Sequence, residues 1–140
     1  MADTYFGSTI KAGTSPSQIA TGTGTALLAQ TVTLQAATAT TVDGTITLPT
    51  GGRIVNIHVD STVAWTAATA GLTIGTASLG TQYVSSMDVK TITRGPTAAY
   101  TAAQLAAFNY GTSTTLVASV ASGTPNATGT TVVTVLYTMG

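Results

Sequence analysis

The sequence predicts an all-β fold: an antiparallel β-sandwich or jelly-roll of about eight strands, with one short helix and an extended N-terminal arm. Three observations predict it. Thr supplies roughly a quarter of the chain, and Val is 12 of the 140 residues. Both are β-branched, which disfavours helix and favours the pleated strand. From residue 26 onward, short runs alternate apolar and polar residues between Gly, Pro, Asn and Asp turn signals. Only one stretch is helical in character, so the strands lack the long crossovers that parallel pairing requires, which leaves antiparallel pairing.

The elements follow in order. Residues 1–25 carry sparse apolar residues without a sustained period and read as an extended arm, preceding a domain over 26–140. Tyr5, Phe6 and Ile10 are poorly suited to a purely solvated tail and are candidates for contact with a neighbouring subunit. The first strand is expected over 27–34. The next, 40–48, contains Asp43-Gly44, which marks either two short strands or one bent one. Pro49-Thr50-Gly51-Gly52 is a turn. Arg53–Asp60 alternates, with Val55, Ile57 and Val59 on one face and Ile54, Asn56, His58 and Asp60 on the other. Val63 and Trp65 continue the alternation, and residues 67–71 turn.

Strands are then expected at 72–75 and within 83–92. Thr101–Phe108 is the helical fragment, rich in good helix formers, with Leu105 and Phe108 on one face. Thr114–Val120, a turn cluster over 122–130 and a long strand over 131–139 complete the chain. In that last strand Val133, Val135, Tyr137 and Met139 share one face. No fixed-period repeat suggests a solenoid or propeller.

Charge sets the functional expectations. Charged residues are only 6% of the chain, against about 25% in an average soluble domain. The four bases are scattered and the net charge is zero, so no electrostatic footprint for nucleic acid or an anionic membrane is present. Little net charge means little colloidal repulsion, which favours association. With no Cys, stability must come from the core or from partners. The first seven residues show neither a basic n-region nor an apolar h-region, so synthesis in the cytoplasm is the expectation.

Catalytic chemistry finds few candidates. General acid–base work needs a group titrating near the working pH, and the chain has one His and no Glu. His58 and Asp60 project from the same strand face; they read as a polar sheet face or an interface hydrogen bond, since no third and fourth ligand is at hand for zinc. No Gly-x-Ser-x-Gly elbow occurs. Thr-Gly-Thr-Gly-Thr at 21–25 lacks the Gly-Lys-Ser/Thr ending of a phosphate loop. Asp88, Lys90 and Arg94 form the one charge cluster, either a solvated local pair or an intersubunit contact. Trp65 reads as a core plug or as a binding anchor. Asn126-Ala127-Thr128 matches a glycosylation sequon and, with no secretory signal, carries no reading. The expectation is therefore a non-enzymatic structural domain without cofactor or metal, with Tyr5, Phe6, Ile10, Trp65, Asp88, Lys90 and Arg94 as candidate interface residues.

The progression Leu48-Pro49-Thr50-Gly51-Gly52-Arg53-Ile54-Val55-Asn56-Ile57-His58-Val59, then Thr62-Val63-Ala64-Trp65, then Leu72-Thr73-Ile74-Gly75-Thr76 resembles small β-sandwich or jelly-roll virion proteins of tailed bacteriophages, including capsid decoration (cement) proteins. The resemblance covers about 30 residues closely. It implies a virion component, often trimeric, that binds the major capsid protein on the outer capsid and braces capsomer junctions. It transfers no binding residues. The alternative is a carbohydrate- or receptor-binding module of a phage fibre or tail, for which Trp65, Asp60 and Arg53 are the sequence-local cluster.

Overall fold

The computed structural model describes residues 26–97, 100–108 and 112–139. The expected arm over 1–25, with Tyr5, Phe6 and Ile10, lies outside the described residues. Within them the chain forms β1 (Leu27–Gln35), β2 (Thr41–Leu48), β3 (Gly52–Val63), β4 (Gly71–Gly75), β5 (Val84–Asp88), β6 (Thr93–Pro96), helix α1 (Ala102–Ala107), β7 (Thr114–Ala121) and β8 (Thr130–Met139). The strands make two four-stranded sheets. Sheet A has the order β1-β8-β3-β6 and sheet B the order β2-β7-β4-β5.

All pairings are antiparallel, and four of them, β1·β8, β2·β7, β3·β6 and β4·β5, join strands whose numbers sum to nine. That is a long antiparallel ribbon rolled up so that β3 also meets β8 and β4 also meets β7. The result is a jelly roll, one of the two architectures the sequence left open.

The core fills the space between the sheets. Sheet A contributes Ile54, Ile57, Val59, Val133, Val135 and Tyr137, and sheet B contributes Ile46, Leu48, Leu72, Ile74, Leu116 and Val120, all buried. In β8 the expected alternation is observed, with Val133, Val135 and Tyr137 inward; Met139 continues that parity but lies exposed at the strand end. Asp43-Gly44 does not split β2. Gly44 instead lets the sheets approach at their edge, because a Cβ there would meet the methyls of Val32 and Leu34 on β1 at 2.6 and 2.7 Å.

The structure corrects the sequence in three places. A register shift between Ile54 and Asn56 flips the parity of β3, so Ile54 is buried and Val55 is turned out to solvent. A β-bulge adds one residue, and one residue reverses every face before it. The bulge is tied down by Tyr100: its hydroxyl donates to Asn56 Oδ1 at 3.0 Å and receives Ile57 N–H at 3.2 Å. Second, 83–92 holds the one strand expected there, β5, but a further strand that the sequence did not predict, β6 at Thr93–Pro96, follows it, and the chain switches sheets between them. Third, Leu105 is exposed while Phe108 is buried against Tyr83 and Tyr100. Helix α1 is capped at its start by Thr101, whose Oγ1 accepts from Gln104 N–H while the Gln104 side chain accepts from Thr101 N–H.

Candidate functional site

Each sheet has an inner face in the core and an outer face turned away from it, and the two outer faces differ. Sheet B is covered by short polar and small residues: Thr41, Asp43, Thr45 and Thr47 on β2, Thr115, Val117 and Ser119 on β7, and Gly71, Thr73 and Gly75 on β4. The connection from β4 to β5 then folds back over it. Gly75 and Gly80 are in backbone contact, for a Cβ on Gly75 would lie 2.5 Å from the Gly80 carbonyl carbon. Leu79 N–H donates to Ser119 Oγ at 3.0 Å, and Ser119 is fully buried beneath this roof.

Sheet A keeps its outer face open. Its rows run across the strands as Leu27–Thr138–Arg53, Ala29–Leu136–Asn56, Thr31–Thr134–His58–Pro96 and Thr33–Val132–Asp60–Arg94. Val55 and Val63 add exposed apolar surface at the two bulges. A Thr31–Thr134 hydroxyl contact of 3.1 Å links the strands. Here β3 and β6 set a shallow depression of about 250 Å³, lined by His58, Asp60, Arg94, Val132, Thr134 and Leu136.

The polar part of the depression is built across strands. Asp60 pairs with Arg94 through the β3·β6 ladder, and its Oδ2 accepts from Arg94 Nε at 3.0 Å and Nη2 at 2.7 Å. Hydrogen bonding to Asp60, and then its charge, push the exposed Arg94 guanidinium further toward its protonated form. Both nitrogens on one carboxylate orient the fork. His58 does stand on the same face as Asp60, as the period predicts, but Asp60 gives Oδ2 to Arg94. Among the described residues no three His, Cys, Asp or Glu side chains gather as metal ligands, and no helix is long and apolar enough to cross a membrane.

The other sequence candidates fall elsewhere. Arg94 does not join Asp88 and Lys90. Strand β5 ends at Asp88, whose Oδ1 accepts from Lys90 N–H at 3.0 Å in a local turn, with the Lys90 ammonium 3.6 Å away. Both side chains are exposed, and such a pair contributes little to stability. Trp65 is buried, 2% exposed, and is a core plug rather than a surface anchor. Its indole lies on Gly129, where a Cβ would strike the ring, and its N–H donates to Thr131 Oγ1 at 2.8 Å, which in turn contacts Ser61 Oγ at 2.8 Å. The sugar-site cluster of Trp65, Asp60 and Arg53 therefore does not assemble. Trp65 is inside, and Arg53 is seven residues from Asp60 along β3, about 23 Å at strand rise.

Asn126 is also structural. It is fully buried; Oδ1 accepts from Ala67 N–H at 2.9 Å and Nδ2 donates to Ser122 Oγ at 2.8 Å, pinning two loops together. The sequon is thus closed to modification in the folded chain. Sequence reading missed Val132, Thr134 and Leu136 as site residues. Their shared face was legible, but their position beside His58 and Asp60 depends on the β3·β8 register.

Comparison with known protein families, with curated proteins and with solved structures finds no match to this chain.

Proposed function

We propose that this jelly roll is a non-enzymatic structural subunit of a phage virion, a capsid decoration protein that packs the outer face of sheet A against the major capsid protein and braces capsomer junctions. The observation that carries the reading is the contrast between the two outer faces. Sheet B is covered by hydroxyls and roofed by its own loop, whereas sheet A leaves Leu27, Val55 and Val63 exposed along the face that carries the Asp60–Arg94 pair. Apolar surface rimmed by a few oriented charges is the composition of a protein-docking face. Broad contact by a nearly uncharged face also suits an assembly that must persist across changes of ionic strength. Association into a trimer belongs to the same proposal.

The sugar-binding alternative is less well supported. Stacking on a sugar ring needs an exposed aromatic face, and among the described residues Trp65, Tyr83, Phe108 and Tyr137 are buried and Tyr100 is half-buried.

The test is co-sedimentation of the purified protein with undecorated heads of the phage that encodes it, followed by heating. Binding with heads that survive to higher temperature is the expected result. Failure to bind, with no gain in head survival, overturns the decoration role.

A further inference from the structure

Covering the outer face of sheet A creates a chemical requirement at Arg94. This residue sits on β6, and the β3·β6 ladder sets it opposite Asp60. A guanidinium carries five N–H donors in a rigid plane. Asp60 Oδ2 accepts one from Nε at 3.0 Å and one from Nη2 at 2.7 Å. Both contacts fall on one edge of the plane. The neighbouring edge, made by the other Nη2 hydrogen and one on Nη1, is turned away from that carboxylate. The Arg94 side chain is 79% exposed, against 28% for Asp60, so water solvates this second edge in the free protein.

A partner laid over the face removes that water. A charged donor covered without an acceptor costs more than a neutral one, so whatever packs here must bring acceptors to the second edge. Two parallel N–H groups in one plane match the two oxygens of a carboxylate, and such bidentate pairs are short and strong. The surroundings suit a carboxylate on a methylene stem. Val132 and Leu136 line the depression together with Arg94, and apolar walls strengthen an ion pair by excluding water.

We propose, on the docking role of sheet A, that Arg94 is the specificity-determining contact of that face and grips an Asp or Glu carboxylate of the major capsid protein. Asp60 holds the fork in position for it. A second copy of the chain is poorly supplied with the matching group. The sequence has four Asp and no Glu. Asp60 is already in the pair, and Asp88 accepts from Lys90 N–H in its own turn with the Lys90 ammonium alongside.

Co-sedimentation with heads tests this, using wild type, Arg94→Lys, which keeps the charge and loses the fork, and Arg94→Ala. Each is mixed with untreated heads and with heads amidated at their surface carboxylates by carbodiimide and glycinamide. On untreated heads both variants are expected to bind about tenfold or more weakly than wild type, with thermal melts like those of wild type because the side chain is exposed. On amidated heads wild type is expected to fall to the level of Arg94→Lys, while the variants change little. Binding of Arg94→Lys equal to that of wild type overturns the proposal. Equal binding of wild type to both kinds of head also overturns it, leaving a carbonyl as the acceptor. So does a smaller oligomer of the variants by light scattering with head binding unchanged, which assigns the carboxylate to a second copy. If the Arg94 variants bind like wild type and Leu136→Asp does not, the docking face stands and the role of Arg94 alone fails. If wild type does not bind heads at all, the docking role fails and the role of Arg94 with it.

Discussion

The two sheets are built alike on the inside and unlike on the outside. Each is four antiparallel strands with a row of Ile, Leu and Val against the other. Outside, sheet B ends in Thr, Ser and Gly and is crossed by its own β4–β5 connection, held by the Leu79–Ser119 hydrogen bond. Sheet A ends in Leu, Val and Thr with a single oriented ion pair and nothing across it among the described residues. The lesson is that a sheet completed within its own chain has little left to offer a partner. On the proposed function, the unroofed sheet is the one left to make contacts.

The largest expected effects test the likeness of the inner faces. Ile57→Ala in sheet A and Leu116→Ala in sheet B each remove a fully buried side chain and are expected to cost about 2–5 kcal/mol, by lost transfer energy plus the cavity left behind. Denaturant unfolding measures both. A cost in one sheet and none in the other would break the claim that the core is shared evenly.

Next comes the roof. Gly75→Ala drives a methyl into the Gly80 backbone and is expected to cost about 1–3 kcal/mol. It also lifts the β4–β5 connection from Ser119, so exchange of the Leu79 amide, read by NMR, should rise with it.

Charge placed on either outer face has a smaller effect on folding. Leu136→Asp on sheet A and Thr45→Asp on sheet B are each expected to change stability by no more than about 1 kcal/mol, since neither site is in the core. They should separate in association alone. Light scattering and head binding should register the sheet A substitution and ignore the other.

Alkaline pH has the gentlest effect. Burial raises the Tyr83 pKa above its ordinary value, so the folded state favours the neutral phenol. Its contribution is present below about pH 10, the usual Tyr pKa, and is lost as pH rises through the folded value, where the unfolded chain gains by ionising. Thermal melts between pH 9 and 11 should fall accordingly, and Tyr83→Phe should flatten that dependence.

How much of this was legible in the sequence depends on the range of the interaction. Strand β8 was readable because its faces follow from a strict period of two, and α1 because a local run of good helix formers sits in an otherwise β-branched chain. The parity of β3 was not readable, since the extra residue between Ile54 and Asn56 is fixed by Tyr100, forty-four positions later. Arg94 was grouped with Asp88 and Lys90 by proximity along the chain, while strand pairing gave it to Asp60, thirty-four positions earlier. The sheet switch between β5 and β6 follows from the roll of the whole ribbon, which no local signal records. His58 and Asp60 were found on one face, but the neighbours that make that face a surface, Val132 and Leu136, arrive from the far end of the chain.

The central claim, that sheet A's outer face is the docking face, is tested most directly by co-sedimenting phage heads with wild type, Leu136→Asp and Thr45→Asp side by side. The account predicts that wild type and Thr45→Asp bind equally and Leu136→Asp stays in the supernatant. Equal binding by Leu136→Asp, or loss of binding by Thr45→Asp alone, would contradict it.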